Sequence, residues 1–257
     1  MNRNERSSPV LAAILQAVIG AGFLLFWELS SRADLRNQFM FSRPSLIIPR
    51  AWTWMVKGSL WPNAWITLQE AILGFFLGAA LGLVLAFVCY GSKTVERVFM
   101  PFFEVMNAIP RFVFGPLLMM WFGFGITSKA FLAATMVVFV VFFATYTALR
   151  DVDPNLVLKV RLMGGGRWHV VTHVLLPSAL SWIFSSLRTG LGFALAGAIV
   201  GEYIGASKGL GYQIALSEGN LDSTGVFAGL FWLILLAVVA NALLGRVEKW
   251  LTRWRVS

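Results

Sequence analysis

The sequence contains one cysteine, Cys89, and two histidines. A single thiol excludes an intrachain disulfide, so the chain is not a small disulfide-stapled module. Cys89 lies inside an apolar run, where a thiol packs rather than attacks. No phosphate loop of the form G-x-x-x-x-G-K-S/T occurs; the glycine run at 163–167 reads Met-Gly-Gly-Gly-Arg and lacks that frame. The chain is therefore not expected to bind or hydrolyse ATP. His169 and His173 stand four apart, but Val170 occupies the position that a metalloprotease gives to glutamate. No metal ligands, cofactor site or catalytic set can be assigned, and an enzyme is not expected. Charge is scarce as well. Only 13% of residues are Asp, Glu, Lys or Arg, about half the share of a soluble domain.

What fills the chain instead is hydrophobic, at 58% of residues. A bilayer core takes about 20 consecutive apolar residues as helix, and six stretches reach that length. They predict an all-α polytopic membrane protein, a single transmembrane domain over 1–257, with spans near 10–29, 64–90, 98–122, 130–149, 177–204 and 225–244. The first is too long for a signal peptide's apolar core and has no small-residue cleavage site after it, so it reads as a retained helix. The net charge of +9 would suggest nucleic acid in a soluble protein. Here the basic residues gather beside the spans, where they orient the chain and meet anionic lipid, so no nucleic-acid partner is expected. Of the 21 Lys and Arg, two (Arg111 and Arg188) fall in spans. Twelve, including Arg3, Arg6, Lys249, Arg253 and Arg255, fall in segments placed inside, and seven in segments placed outside. That bias puts both termini in the cytoplasm. Trp52, Trp54, Trp61 and Trp65 before the second span, and Trp250 and Trp254 after the sixth, suit interface belts. An amphipathic helix is expected around 45–57, on the outer surface.

Gly74, Gly78, Gly82 and Ala86 in the second span, and Gly197, Gly201 and Gly205 in the fifth, recur every four residues. Such stripes let helices approach closely in lipid, with a partner either inside the chain or in a second copy. The third span carries Pro101, Pro110 and Pro116 and also Glu104, Asn107 and Arg111. Prolines break a helix, and broken backbone at membrane depth lines a cavity or is buried in protein. Glu104, Asn107 and Arg111 share one face. They read either as lining of a translocation pathway or as a structural Glu104–Arg111 pair. Glu202, late in the fifth span, is a further pathway candidate on the same ground.

The segment 150–176 is too polar to span and too apolar for a linker. Pro154 suits a first helical turn, with Asp153 as its cap. Leu156, Val160 and Met163 form an apolar stripe. The run 164–166 is all glycine and stops the helix through positive φ. A second short helix is expected from Arg167, and Pro177 then opens the next span.

In this segment the chain resembles the permease subunits of ATP-binding-cassette importers. Their cytoplasmic signature runs E-A-A, three residues, G, nine residues, I, one residue, L-P. Gly164, Val174, Leu176 and Pro177 stand at those spacings, whereas the E-A-A positions hold Leu158, Lys159 and Val160. Further likeness points to the type I branch for nitrate, sulfonate, taurine and bicarbonate: Ile109-Pro110, Pro116-Leu117 and 121–125 (Trp-Phe-Gly-Phe-Gly), then 175–180, Leu187-Arg188, Gly201-Glu202 and 205–212, with Thr67-Leu68 and Gly74-Phe75 before them. The resemblance implies cytoplasmic coupling helices and a bacterial inner-membrane location. A second permease copy would form a homodimer. Two ATPase subunits would carry ATP and Mg, and an extracytoplasmic solute-binding protein would deliver a small anion. It also implies that Leu158, Lys159, Arg161, Gly164, Gly165, Arg167, Trp168 and Pro177 couple the chain to the ATPase. A self-contained secondary carrier is the alternative, but it would need its own ion-coupling site and usually an internal repeat.

Overall fold

The computed structural model describes residues 9–251. The side chains of Arg3, Arg6, Lys249, Trp250, Arg253, Trp254 and Arg255, used above for orientation and belts, lie outside the described part. Among the described residues every regular element is helical. In order they are α1 (Pro9–Ala33), α2 (Leu35–Phe41), α3 (Pro44–Val56), α4 (Leu60–Gly91), α5 (Lys93–Ala108), α6 (Gly115–Phe122), α7 (Ile126–Arg150), α8 (Pro154–Leu162), α9 (Arg167–Val170), α10 (Leu176–Gly205), α11 (Leu210–Gly219) and α12 (Ser223–Leu251). A 3₁₀ turn over Arg111–Phe114 precedes α6, and a π turn over Val171–Leu175 joins α9 to α10. Among the described residues five helices are long and apolar enough to cross a membrane, and the bent pair of α5 with the 3₁₀ turn and α6 brings the number to six when counted as one broken span. The chain packs as two compact units, residues 1–60 with 213–232 and residues 61–212 with 233–257.

In the first unit α1 presents apolar side chains all round, among them Phe23, Leu25 and Phe26. Such a helix satisfies its backbone internally and needs lipid or protein around it. Near its end Glu28 accepts from the Ser45 N–H at 3.1 Å and hydroxyl at 2.8 Å, and from Arg32 at 2.7 Å. Ser45 lies in the first turn of α3, whose own N-cap side chain, Arg43, makes no cap. A carboxylate borrowed from α1 meets the positive end of that helix. The helix α3 is the amphipathic one expected at 45–57: it buries Ile47 and Ala51 and exposes Ile48 and Trp52.

In the second unit α7 is the central element. Both glycine stripes face it, except at Gly205, which meets Met119 and Phe124. A Cβ at Gly74 would lie 2.4 Å from Ala133 Cβ, one at Gly78 would lie 2.7 Å from the Ala134 carbonyl, and one at Gly197 would lie 2.6 Å from Ala133 Cα. So α4 and α10 grip α7 from two sides at backbone distance, over its Ala130, Ala133 and Ala134 face. The stripes therefore find their partner inside the chain. This contact is dispersion packing at short range, the association that lipid does not oppose. The core it closes contains Ala71, Phe75, Val137, Val141, Leu191 and Ala194.

Two spans differ from their expected form. The third is not one rod over 98–122. Helices α5 and α6 meet at an 88° bend, where Pro110 removes a backbone donor and Ile109 takes extended geometry before it. The fifth does not begin at Pro177. One continuous helix runs Arg167–Gly205, and the π turn widens the ring where Pro177 would otherwise clash with the carbonyl four residues back. The second short helix expected from Arg167 is thus the first turn of this span.

Candidate functional site

The first part of the polar segment between the fourth and fifth spans, up to Gly165, folds as the sequence predicts. Asp153 Oδ1 accepts from the Asn155 N–H at 2.8 Å, and Pro154 takes the first helical position of α8. At the other end the Gly165 N–H reaches the Val160 carbonyl at 2.9 Å, and the Gly164 N–H reaches the Arg161 carbonyl at 3.0 Å. This is a Schellman closure with Gly164 at φ +83°. Gly165 is needed for a different reason: a Cβ there would stand 2.8 Å from the Val160 carbonyl. No residue of α8 is buried. Leu162 is 78%, Met163 87% and Trp168 74% exposed, and Leu158 is exposed beside them. Lys159 and Arg161 occupy the last turn of α8. Beneath, Val170, Val174 and Leu175 pack with Ala148, Leu149 and Val152, which ties the segment to the end of α7. The result is a helix closed at both ends by its own residues, anchored through half-buried Val157 and Val160 and uncovered along Leu158, Leu162 and Met163. His169 and His173 stack with ring centres 5.9 Å apart.

Of the four residues predicted for a pathway, three lie together and one does not. Asn107 is in the last turn of α5, and Arg111 follows the break. In an unbroken helix the Asn107 carbonyl would take the Arg111 backbone N–H. Here the Arg111 side chain takes it instead: Nη2 donates to that carbonyl at 3.1 Å and also to Asn107 Oδ1. A cation thus covers an orphan carbonyl at a helix C-terminus. The guanidinium also lies 5.1 Å over the Phe139 ring, and its Nε is buried without a hydrogen-bond partner. Glu104 stands one turn earlier on α5, and no Glu104–Arg111 ion pair is formed among the described residues.

Glu202 is elsewhere, and it is 1% exposed. Its Oε1 accepts from Thr67 Oγ1 at 2.6 Å, and its Oε2 accepts from the Gly211 N–H at 2.6 Å. Thr67 Oγ1 in turn accepts from the Leu210 N–H at 2.9 Å, and Asn63 Oδ1 accepts from the Gly209 N–H at 2.7 Å. Three successive N–H groups at the start of α11 are thereby taken by side chains of α4 and α10. Gly209 has φ +116°, and a Cβ on it would strike the Glu202 carboxylate. Two further charged groups share this interior. Glu70 adjoins Glu202 and is 2% exposed; Lys129, 1% exposed, lies within electrostatic reach of both and donates to the Phe124 carbonyl. Sequence reasoning missed Glu70 and Lys129. An acidic residue in the middle of a long apolar run was the available signal for Glu70.

Fold and segment together define a polytopic helical membrane protein with an exposed, capped helix between two of its spans. The chain belongs to the family of binding-protein-dependent transport system inner membrane components, whose sequence profile matches residues 78–253. It is 32% identical to the riboflavin transport system permease protein RibX of Chloroflexus aurantiacus, over 91% of this chain and 87% of that one. It is 30% identical to the putative aliphatic sulfonates transport permease protein SsuC of Bacillus subtilis, over 95% and 87% respectively. The taurine transport system permease protein TauC of Escherichia coli is 27% identical, over 77% and 72%. Among solved structures, an inward-facing form of the MetNI methionine ABC transporter superposes with a TM-score of 0.66 at 20% identity, covering 76% of this chain and 96% of that one. That likeness shows the shared fold. The chain is accordingly a multi-pass inner-membrane permease subunit of the ABC importer class, as the residues around Gly164 and Pro177 implied.

Proposed function

We propose that two copies of this chain enclose a solute pathway across the inner membrane, with both termini cytoplasmic. An ATPase subunit grips α8 of each copy, and an extracytoplasmic binding protein delivers the solute to the opposite face. The observation that carries this reading is α8 itself. A short helix capped at both ends, with Leu158, Leu162 and Met163 uncovered, presents a rigid apolar ridge with Lys159 beside it. A partner can hold such an element in a groove and move it as one body. ATP and Mg belong to that partner.

The solute is proposed to be a small anion. Arg111 supports this: it sits at the break of the third span, half-buried, with an unpartnered donor. Glu104 and Asn107 then flank the pathway on the same helix. The relatives are named for riboflavin, aliphatic sulfonates and taurine, so their solutes are not one chemical class.

Coexpression with its neighbouring genes, followed by purification in gentle detergent, tests the assembly. A stoichiometric ATPase subunit is expected to copurify. In Gly164→Pro that ATPase should hydrolyse ATP without driving uptake, because proline cannot adopt φ +83°. A chain that purifies alone and transports in liposomes without ATP would establish a secondary carrier instead. Uptake of a sulfonate unaffected by Arg111→Gln would remove the anion assignment.

A further inference from the structure

A groove of about 690 Å³ opens beside α8. Its floor is apolar: Val170 and Leu175 are buried there, with Phe87 at the end of α4 half-buried above them. Its rim is exposed and basic, formed by Arg161 and Arg167 with Trp168. No acidic residue lines it, and neither arginine makes an ion pair or hydrogen bond among the described residues. The groove also lies where α4 ends at Gly91 and the long helix Arg167–Gly205 begins. Tyr90 and Trp168, which line it, are residue types that settle at a headgroup boundary.

We propose that this groove holds an anionic phospholipid of the inner leaflet, its phosphate between Arg161 and Arg167 and one acyl chain along Phe87 and Leu175. The inference rests on the orientation proposed above, which puts this end of the spans in the cytoplasm. Two chemistries meet at the site, and the ligand has to satisfy both. A free phosphate or a nucleotide would match the guanidiniums but leave the apolar floor wet. A zwitterionic lipid would match the floor but bring its own cation to the rim. An anionic glycerophospholipid matches floor and rim together. On this reading α8 divides its surface. Leu158, Leu162 and Met163 meet the ATPase, while Arg161 is turned to the groove and bound to lipid.

The test is native mass spectrometry of the purified full chain, delipidated and titrated with phosphatidylglycerol, phosphatidylcholine or inorganic phosphate. The wild-type protein should bind one phosphatidylglycerol per chain in preference to phosphatidylcholine, with no competition from millimolar phosphate. R161Q/R167Q should weaken that binding by about 30-fold, the loss of two interfacial cations. R161K/R167K should recover most of it, and an unchanged melting temperature shows that both variants are folded. Equal retention of phosphatidylglycerol by wild type and R161Q/R167Q overturns the proposal, as does displacement of the lipid by phosphate. Loss of ATPase copurification in R161Q/R167Q with lipid retention intact would also overturn it, by assigning both arginines to the protein interface. That last outcome leaves the importer reading standing.

Discussion

The two ends of the long helix Arg167–Gly205 handle polar groups in opposite ways. At the Gly205 end the next helix is bolted inward. Asn63, Thr67 and Glu202, all hidden from solvent, take the three N–H groups of residues 209–211. At the Arg167 end α8 is closed by its own residues and buries none of them. Stability is concentrated where a chain segment must not move relative to its neighbours. Exposure is concentrated on α8, the element proposed above to be held by another molecule. Side-chain changes should therefore have large stability effects at the first end and small ones at the second.

The largest effect is expected from Glu202→Ala, which leaves the buried Gly211 N–H unmet, leaves Thr67 Oγ1 only the Asn63 carbonyl to donate to, and opens a cavity at the joint. It should cost about 3 kcal/mol, read as a lowered melting temperature in detergent. An unchanged melting temperature would sink the idea of a bolted turn. Thr67→Val removes the donor to Glu202 and the acceptor for Leu210, and about 2 kcal/mol should be lost in the same assay. At the other end Gly164→Ala forces a Cβ into positive φ, for a loss of about 1 kcal/mol. Leu158→Ala should be smallest, within about 0.5 kcal/mol of wild type. Its consequence should appear only as weaker ATPase copurification. A stability loss at Leu158 as large as that at Glu202 would erase the distinction between the two ends.

Much of the α8 segment was legible because its signals are local. Asp153, Pro154 and Gly164 each act within a turn of their own position, so cap, start and stop could be placed by spacing. The glycine stripes were legible as contact surfaces but not as contacts, since Gly74 and Gly197 carry no mark of the residue they meet. Only the fold shows that both meet Ala133. Arg111 was read as a charge facing a pathway or pairing with Glu104. The pair with Glu104 is not formed among the described residues; the guanidinium covers the Asn107 carbonyl, freed by a break at Pro110 whose 88° angle no local rule supplies. Glu202 was conspicuous as an acid in a span. Its partners lie 135 residues away at Thr67 and nine away at Gly211, a joint that exists only after α4 and α10 come together.

The π turn before Pro177 has a mechanical consequence. It lets a proline sit inside a helix of 39 residues without ending it. Such a rod is about 58 Å long, nearly twice the thickness of the hydrocarbon layer. Pivoted near its Arg167 end, it turns angle into distance. A tilt of about 5° carries the Gly205 end, and the turn fastened to it by Glu202, through roughly 5 Å. A break at Pro177 would have dissipated the same tilt as a local wobble.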